Sequence, residues 1–173
     1  MVQRLRLDYS VYAVQYDDAL SWIRLDVGQP LSSIAFTVHA RPRAQERAGR
    51  HAYIDRSGKA RVRAYTPKLT RTASDEIRAA WVDAGAIFVP AETPFVITVT
   101  ATKQRPDSHL RKDGSPSRDW REIPRTPDCD NTLKLVLDAL QPLCIPNDAL
   151  CRKAITEKRY GDADSLEVRI TWA

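Results

Sequence analysis

The segment from residue 128 to residue 148 constrains the chain most, because it places acidic side chains and a lysine around one short predicted helix. Asp128 and Asp130 are two positions apart, so an extended segment would direct both side chains to the same side. Asp130 or Asn131 is also a candidate cap for the helix that follows, since a short polar side chain accepts from free N–H groups of the first turn. Two carboxylates on one side form half of a site for a hard divalent cation, which prefers oxygen ligands.

Helical spacing of apolar side chains predicts the helix itself. The predicted buried stripe consists of Leu133, Val136, Leu137 and Leu140. Their i, i+3, i+4, i+7 pattern is typical of one buried helix face, and Pro142 ends the helix. Lys134 lies off the stripe, about one turn after Asp130, so its ammonium group can reach over the carboxylates or a phosphate bound there. Asp148 begins the next predicted strand and could return to the same edge as a third ligand.

The Asp-x-Asp pattern alone leaves several interpretations open. A solvated helix cap is the simplest of them. An EF-hand loop is excluded, because Thr132 and Leu133 stand where that motif requires Asp or Asn followed by Gly. A sugar-nucleotide-binding Asp-x-Asp site stays open, because it too uses a carboxylate-bound metal beside a diphosphate. A transferase of that kind would need a Gly-rich turn in a nucleotide-binding βαβ unit, and the sequence shows none.

Charge is distributed unevenly along the chain, whose formal net charge is +5. Residues 39–71 contain ten Lys or Arg against two acidic residues, and residues 102–127 contain seven against four. Residues 128–173 reverse the balance, with six basic residues against eight acidic ones. This distribution is expected where phosphates bind arginines and are processed at a carboxylate-bound metal. The alternative is a basic soluble protein with solvated arginines.

Local patterns predict a single α+β domain, with a mixed β-sheet of about five strands and two main helices packed on it. Strand-like stretches occupy residues 34–38, 51–55, 60–65, 95–100, 148–157 and 165–172. The second and third flank Arg56-Ser57-Gly58-Lys59, a hairpin signal, and residues 95–100 are the most β-like run, expected at the centre of the sheet. A second helix, in addition to the one that begins near residue 130, is predicted over about residues 70–84. Residues 1–30 are predicted to be an N-terminal extension of unknown role, and residues 31–173 the domain.

Residues 103–127 are charged and rich in Pro, Gly and Ser, and they lack an apolar period. A loop of about 25 residues in a compact domain is usually functional or disordered. We therefore predict a flexible loop that could close on a nucleic-acid strand through its basic side chains. His109 is expected to be mobile and solvated rather than a catalytic base.

The cysteines and the hydropathy pattern predict a cytoplasmic protein. An odd number of cysteines, Cys129, Cys144 and Cys151, without a Cys-x-x-Cys pattern argues against a disulfide framework and against a zinc site. No apolar run approaches the roughly 20 residues of a membrane span. The first residues also lack the apolar centre of a signal peptide.

Taken together, the motifs of the acidic segment resemble the signature of the RusA family of Holliday junction resolvases, which bacteria and many of their phages carry. The resemblance covers about residues 34–172. The motifs that carry it are Asp128-x-Asp130-Asn131-x-x-Lys134-x-x-x-Asp138-Ala139-Leu140, then Ile145-Pro146-Asn147-Asp148, then Glu157-Lys158-Arg159-Tyr160-Gly161, with Arg63-x-Tyr65-x-Pro67 upstream.

The resemblance implies a small homodimeric endodeoxyribonuclease that binds four-way or branched DNA, requires Mg²⁺ or Mn²⁺, and nicks two opposing strands symmetrically. It implies catalytic roles for Asp128, Asp130, Asp148 and Lys134, with the three aspartates as metal ligands. Many members have two consecutive acidic residues where this chain has Asn147-Asp148, and Asp148 is taken as the ligand that is kept. The alternative is a catalytically silent nucleic-acid-binding protein of the same fold. The predicted DNA-binding side chains are Arg41, Arg43, Arg47, Arg50, Arg61, Arg63, Lys68 and Arg125.

Overall fold

The computed structural model describes residues 32–173, and the predicted extension at residues 1–30 lies outside that range. Within it the elements follow in the order β1 (Ser32–Val38), β2 (Gly49–Ile54), β3 (Ala60–Tyr65), α1 (Lys68–Asp83), β4 (Phe95–Gln104), α2 (Cys129–Leu140), β5 (Cys151–Gly161) and β6 (Ser165–Trp172). Short 3-10 turns cover Asp107–His109 and Asp148–Leu150. Neither helix of this part of the chain is long and apolar enough to cross a membrane.

Strand β4 lies at the centre of the main sheet, as its β-rich sequence predicts. The order of this sheet is β1-β6-β4-β5, with β4 antiparallel to β6 and parallel to β5. Strand β1 forms one edge by pairing antiparallel with β6. Strands β2 and β3 form a separate two-stranded sheet. The predicted α+β fold with two main helices is therefore confirmed, and the strands in residues 32–173 divide between a sheet of four and a ribbon of two.

The core lies between the main sheet and the two helices. Ile97 and Val99 of β4 are fully buried, because alternate side chains of a strand point to the same face. Helix α1 contributes Ile77 and Trp81 to the same core. The Trp81 indole N–H donates to the carbonyl oxygen of Ile87 at 2.9 Å, so the buried ring keeps a hydrogen-bond partner. This contact fixes α1 against the segment that leads into β4.

Helix α2 is buried on a wider and rotated stripe compared with the predicted one. Leu133 and Leu137 are only partly buried, which corrects the prediction that both lie in the core. The buried side chains of this helix are Thr132, Leu135, Val136, Ala139 and Leu140. The stripe is displaced because α2 packs against α1 as well as against β5.

The β4–α2–β5 connection determines where the two ends of α2 lie. Because β4 and β5 are parallel neighbours, the helix between them runs back along the sheet. Near the end of β5, the ammonium group of Lys158 donates to the carbonyl oxygen of Pro127, just before α2, at 3.3 Å. Beyond the other end of α2, the Val89 N–H ahead of β4 donates to the Cys144 carbonyl oxygen at 2.9 Å. The N-terminus of α2 therefore lies where β4 and β5 finish, and its C-terminus lies where they begin.

The β2–β3 hairpin, predicted from its turn sequence, is a ribbon whose side chains are almost all exposed. The carboxylate of Asp55 stabilises the turn between β2 and β3. One carboxylate oxygen accepts from the Ser57 N–H at 2.9 Å, the Ser57 hydroxyl at 2.6 Å and the Lys59 N–H at 3.0 Å. The other accepts from Nε of Arg61 at 2.9 Å. Gly58 has φ 78°, a conformation that glycine adopts without steric cost.

We expect the hairpin turn to open only in strong acid. Hydrogen bonds from Ser57, then from Arg61 and Lys59, lower the pKa of Asp55 from 3.8 to about 2. A carboxyl whose pKa is depressed by folding stabilises the fold above its unfolded pKa, and this contribution is lost as the pH falls through the folded pKa. The turn should therefore be intact at about pH 5 and open between about pH 4 and pH 2. An NMR titration of the Ser57 and Lys59 amides measures this; a midpoint at or above pH 4 would contradict it.

Candidate active site

Asp128 and Asp130 lie together at the N-terminus of α2, with both side chains exposed. Asp128 is the residue before the first helical turn and makes no side-chain capping hydrogen bond, so the predicted cap at Asp130 or Asn131 is wrong. The helix begins at Cys129, so the pair shares a helix end rather than one side of an extended segment. The Asp128 carbonyl oxygen accepts from the Thr132 N–H and hydroxyl at 2.9 and 2.8 Å.

These contacts leave both carboxylates available to a ligand. In the described part of the chain, neither Asp128 nor Asp130 forms a side-chain hydrogen bond or an ion pair. Their oxygens are the hard donors that Mg²⁺ and Mn²⁺ prefer. The positive end of the helix dipole also favours negative charge at this position. The pair therefore fits one half of the ligand set of a divalent cation.

Lys134 is exposed one helical turn after Asp130. Residues at i and i+4 lie on the same helix face, and helical side chains lean towards the N-terminus. The ammonium group is therefore directed to the end that carries the two carboxylates. It forms no ion pair with any carboxylate in residues 32–173. A free ammonium group beside two free carboxylates is suited to an anionic ligand held at this helix end.

Lys158 fixes the backbone that leads into this site. Its ammonium group donates to the carbonyl oxygens of Arg125 at 3.1 Å and Pro127 at 3.3 Å. The strand predicted over residues 148–157 ends before Lys158, but β5 continues to Gly161 and Lys158 is partly buried. The signal that could have identified it is the unbroken β-like pattern before the turn at Asp162. Lys158 is therefore a positioning residue for Asp128.

The arginine-rich segment between β1 and β2 runs past the same helix end. The Gln45 N–H donates to the Asn131 carbonyl oxygen at 3.0 Å, and the Glu46 N–H donates to the Thr70 hydroxyl at 3.2 Å. These bonds attach the segment to α2 and α1. The backbone that carries Arg43 and Arg47 therefore passes the N-terminus of α2, whereas Arg41 lines a groove with Gln104 and Asp164.

Asp148 lies at the other end of α2. It begins the 3-10 turn that leads directly into β5 at Cys151. Burial is the main cause that raises the pKa of the Cys151 thiol, and the nearby negative charge of Asp148 adds to it. Among residues 32–173, no group of three or more His, Cys, Asp or Glu side chains is arranged to hold a metal ion. Asp148 therefore does not return to the edge occupied by Asp128 in the same chain, and its role as a ligand stays a prediction.

Comparison with known proteins identifies the family that this architecture belongs to. The family described as endodeoxyribonuclease RusA matches residues 37–171. The chain belongs to the RusA family. None of the curated proteins compared with it matches significantly. RusA endodeoxyribonucleases act on branched DNA junctions, so membership supports nuclease activity for this chain.

The basic character of residues 39–71 predicted DNA contacts on the β2–β3 hairpin, and the structure distinguishes between its arginines. Arg61 and Arg63 lie on the face that also carries His51 and Tyr53, since these four residues pair across the ribbon. Arg61 already forms an ion pair with Asp55 at 2.9 Å. Arg63 is exposed and forms no ion pair within the described residues. Of the two, Arg63 is the freer to bind a DNA phosphate.

The remaining predicted DNA-binding residues are exposed at other points of the domain. Arg50 lies near the start of β2, Lys68 is the first residue of α1, and Arg125 precedes Asp128 by three positions. The carbonyl of Arg125 is held by Lys158, so its guanidinium group starts from a fixed backbone position beside the acidic pair. Their contacts with DNA stay predictions.

Residues 103–127, which were predicted to form a flexible loop, make defined contacts with the end of the sheet. The Arg105 guanidinium group lies over the rings of Trp120 and Tyr160, 4.0 and 4.6 Å from their centroids. His109 is only 6% exposed and meets the Tyr160 ring edge-on at 5.1 Å, which corrects its prediction as a solvated side chain. Cation–π and aromatic contacts replace the missing apolar period. They order this segment at the end of the sheet where β4 finishes.

Proposed function

We propose that this chain is a divalent-metal-dependent endodeoxyribonuclease that resolves Holliday junctions and related branched DNA by paired, symmetric nicks, in DNA recombination and repair. The observation that carries the proposal is the placement of two free carboxylates and Lys134 at the N-terminus of α2, beside the arginine-rich segment, in a RusA-family chain. The setting is the cytoplasm of a bacterium or of a phage-infected host.

In this proposal, Asp128 and Asp130 hold the catalytic cation, Mg²⁺ or Mn²⁺. When bound, such an ion polarises the scissile phosphate, lowers the pKa of an attacking water and stabilises the leaving 3′-oxygen. Lys134 places a positive charge against the negative charge that builds on the phosphate during reaction. The arginines at Arg41, Arg43 and Arg47 bind flanking phosphates and bring the strand to this helix end.

We further propose that the active form is a homodimer. A two-fold symmetric pair of chains presents two equal sites to a junction that has a pseudo-two-fold axis of its own. Equal sites on the two sides would cut opposing strands at equivalent positions, and this symmetry is the reason for expecting paired nicks.

A synthetic four-way junction, compared with a linear duplex of the same sequence with and without Mg²⁺, tests the proposal. We expect nicks at symmetric positions in two opposing strands of the junction, only in the presence of the ion. Cleavage of the linear duplex at the same rate would contradict the proposed selectivity for branched DNA. Cleavage in the presence of EDTA would contradict the proposed requirement for a divalent ion.

One observation favours the alternative of a catalytically silent DNA-binding protein. Asp148 is separated from Asp128 and Asp130, so a single chain does not gather the three carboxylates. A silent protein would bind the junction with the salt dependence of a basic surface and leave every strand intact at all Mg²⁺ and Mn²⁺ concentrations. The junction assay distinguishes the two functions directly.

We expect Arg63→Ala to weaken binding to junction and duplex DNA and to reduce the slope of log K against log salt by about 0.9, the value for one lost phosphate contact. Arg61→Ala is the matched control on the same face of β3. It should reduce the slope by less, because Arg61 is paired with Asp55. Fluorescence anisotropy over a range of salt concentrations measures both slopes. An unchanged slope for Arg63→Ala would exclude this residue as a phosphate contact.

A further inference from the structure

A groove opens at the end of the sheet where β4 finishes. It combines the last residues of β4 and the turn after them with one side chain from the segment after β1 and one from the turn between β5 and β6. Its polar lining consists of Arg41, Lys103, Gln104, Arg105, Asp107 and Asp164. The groove volume of about 310 Å³ lies at the lower end of the range of about 300–1,000 Å³ for small-ligand sites. It therefore has room for a small part of a DNA strand.

Two of the three cationic side chains of the groove are free to bind an anion. Neither Arg41 nor Lys103 forms a side-chain hydrogen bond or an ion pair with another residue of the range 32–173. The Asp164 carboxylate is already engaged, because it accepts from the Gln104 N–H at 2.8 Å. Asp107 is exposed, so salt screens its charge. The groove therefore offers two unpaired cations to a phosphate group.

Arg105, the third cation, connects the groove with an exposed aromatic ring. Its guanidinium group lies 4.0 Å from the centroid of the Trp120 ring and donates to the Arg121 carbonyl oxygen at 3.0 Å. The Trp120 N–H donates to the Ser117 carbonyl oxygen at 3.1 Å. These contacts hold Trp120 in place, although 42% of this residue stays exposed. Isolated exposed aromatic residues are common, but a fixed ring beside two free cations has both components of a single-strand site.

Stacking on the Trp120 ring requires a base with an uncovered face. In duplex DNA each base is covered by neighbours on both sides, and taking it out of the stack costs free energy. That cost is smallest for a base that is already unpaired. At a branch point the regular stack of each arm is interrupted, so bases there are the easiest to unpair. The ring therefore favours an unpaired base over a paired one.

The groove also lies close to the acidic pair. Arg41 precedes Gln45 by four positions, and the Gln45 N–H donates to the carbonyl oxygen of Asn131, in the first turn of α2, at 3.0 Å. Four residues span at most about 14 Å, which equals about four nucleotides of one strand at 3.4 Å each. A strand bound in the groove therefore reaches the N-terminus of α2 within a few nucleotides.

We propose that the groove and Trp120 form a binding site for an unpaired DNA strand. A backbone phosphate lies between Arg41 and Lys103, and the neighbouring base stacks on the Trp120 ring. The inference rests on the proposed function, which makes branched DNA the ligand. It adds a physical cause for selecting branched DNA, because a continuous duplex offers no unpaired base to the ring.

Single-strand binding in the presence of EDTA tests the aromatic part of the site without cleavage. A short oligothymidylate and a duplex of the same length are compared by fluorescence anisotropy and by quenching of tryptophan emission. We expect the single strand to quench the wild-type emission more than the duplex does. Trp120→Leu should lose this difference and bind the single strand about 5- to 150-fold more weakly, the range for one base–aromatic stack, with unchanged duplex affinity. Trp120→Tyr should recover most of the lost affinity.

Arg41→Ala and Lys103→Met test the phosphate contact and leave the ring contacts of Arg105 in place. Each variant should reduce the slope of log K against log salt for oligothymidylate by about 0.7, the value for one phosphate of a single strand. Arg152→Ala is the matched control, since Arg152 is exposed near the start of β5, at the opposite end of the sheet. This control should keep the wild-type slope.

These measurements separate the single-strand site from the nuclease function. Wild-type affinity for oligothymidylate in Trp120→Leu, an equal loss of duplex affinity in that variant, or unchanged slopes in both charge variants would overturn the site even if the junction is cleaved. The expected losses, together with a junction that the wild-type protein leaves intact in Mg²⁺, would uphold the site and contradict the nuclease function.

Discussion

Asp130→Asn is expected to reduce junction cleavage by more than about 100-fold while junction affinity stays the same or increases. The change keeps the shape of an exposed side chain that has no partner in the described residues, so the fold should be unaffected. It removes one charged oxygen from the proposed ligand pair. Loss of a residue that only supports a metal ligand already costs about 10–100-fold, so loss of the ligand itself should cost more. Removing a negative charge beside a bound phosphate also reduces repulsion.

Single-turnover cleavage and anisotropy binding, measured on the same junction, separate the two effects. Asp83→Asn is a matched control, since Asp83 is exposed at the end of α1, away from the N-terminus of α2. That variant loses the same charge and should cleave at the wild-type rate. Full-rate cleavage by Asp130→Asn would contradict metal catalysis at the start of α2. An equal loss of cleavage rate in Asp130→Asn and Asp83→Asn would assign the effect to net charge.

Features that depend on neighbouring residues could be predicted from the sequence. The β-rich composition of residues 95–100 identified the central strand, because β-branched and aromatic residues are enriched in strands. The hairpin followed from a turn sequence between two strand-like runs. Lys134 was placed one helical turn after Asp130, and the structure keeps this relation, although Asp128 and Asp130 were expected in an extended segment. In each case the physical cause lies within about ten residues.

Features that depend on packing between distant segments could not be predicted in this way. The direction of the β4–α2–β5 connection decides which end of α2 Asp148 reaches, and a spacing of 20 positions is compatible with either end. The order of residues 103–127 depends on Arg105, which lies close to Trp120 and Tyr160 only in the folded chain. A segment without apolar periodicity was therefore interpreted as flexible, although cation–π contacts hold it.

The buried face of α2 illustrates the same limit on a smaller scale. Apolar spacing gave the helix and identified Val136 and Leu140 as core residues, which the structure confirms. It could not show that α1 packs on a second side of α2, nor that Leu135 and Ala139 are buried as well. Hydrophobic periodicity predicts that a helix has a buried face, whereas the number of neighbouring elements determines the width and centre of that face.

Lys158→Met is expected to reduce kcat for junction cleavage by about 10- to 100-fold, with a much smaller change in junction affinity. The change keeps an unbranched apolar stem but removes the N–H donors that hold the carbonyl oxygens of Arg125 and Pro127. The backbone just before Asp128 would then move more freely. A misplacement of about 1 Å in a reactive group can cost about 100-fold in rate. Loss of one positive charge should change the salt slope of binding by at most about 0.9.

Two further variants distinguish positioning from charge. Lys112→Met removes the same charge from an exposed lysine within residues 102–127, and this variant should keep the wild-type kcat. Lys158→Arg retains the charge and the N–H donors but changes their geometry, so it should recover only part of the rate that Lys158→Met loses. A purely electrostatic role for Lys158 would instead give Lys158→Arg the wild-type rate. Wild-type kcat in Lys158→Met would show that the start of α2 holds Asp128 without this lysine. A loss shared equally by Lys112→Met would instead assign the effect to the overall charge that attracts DNA.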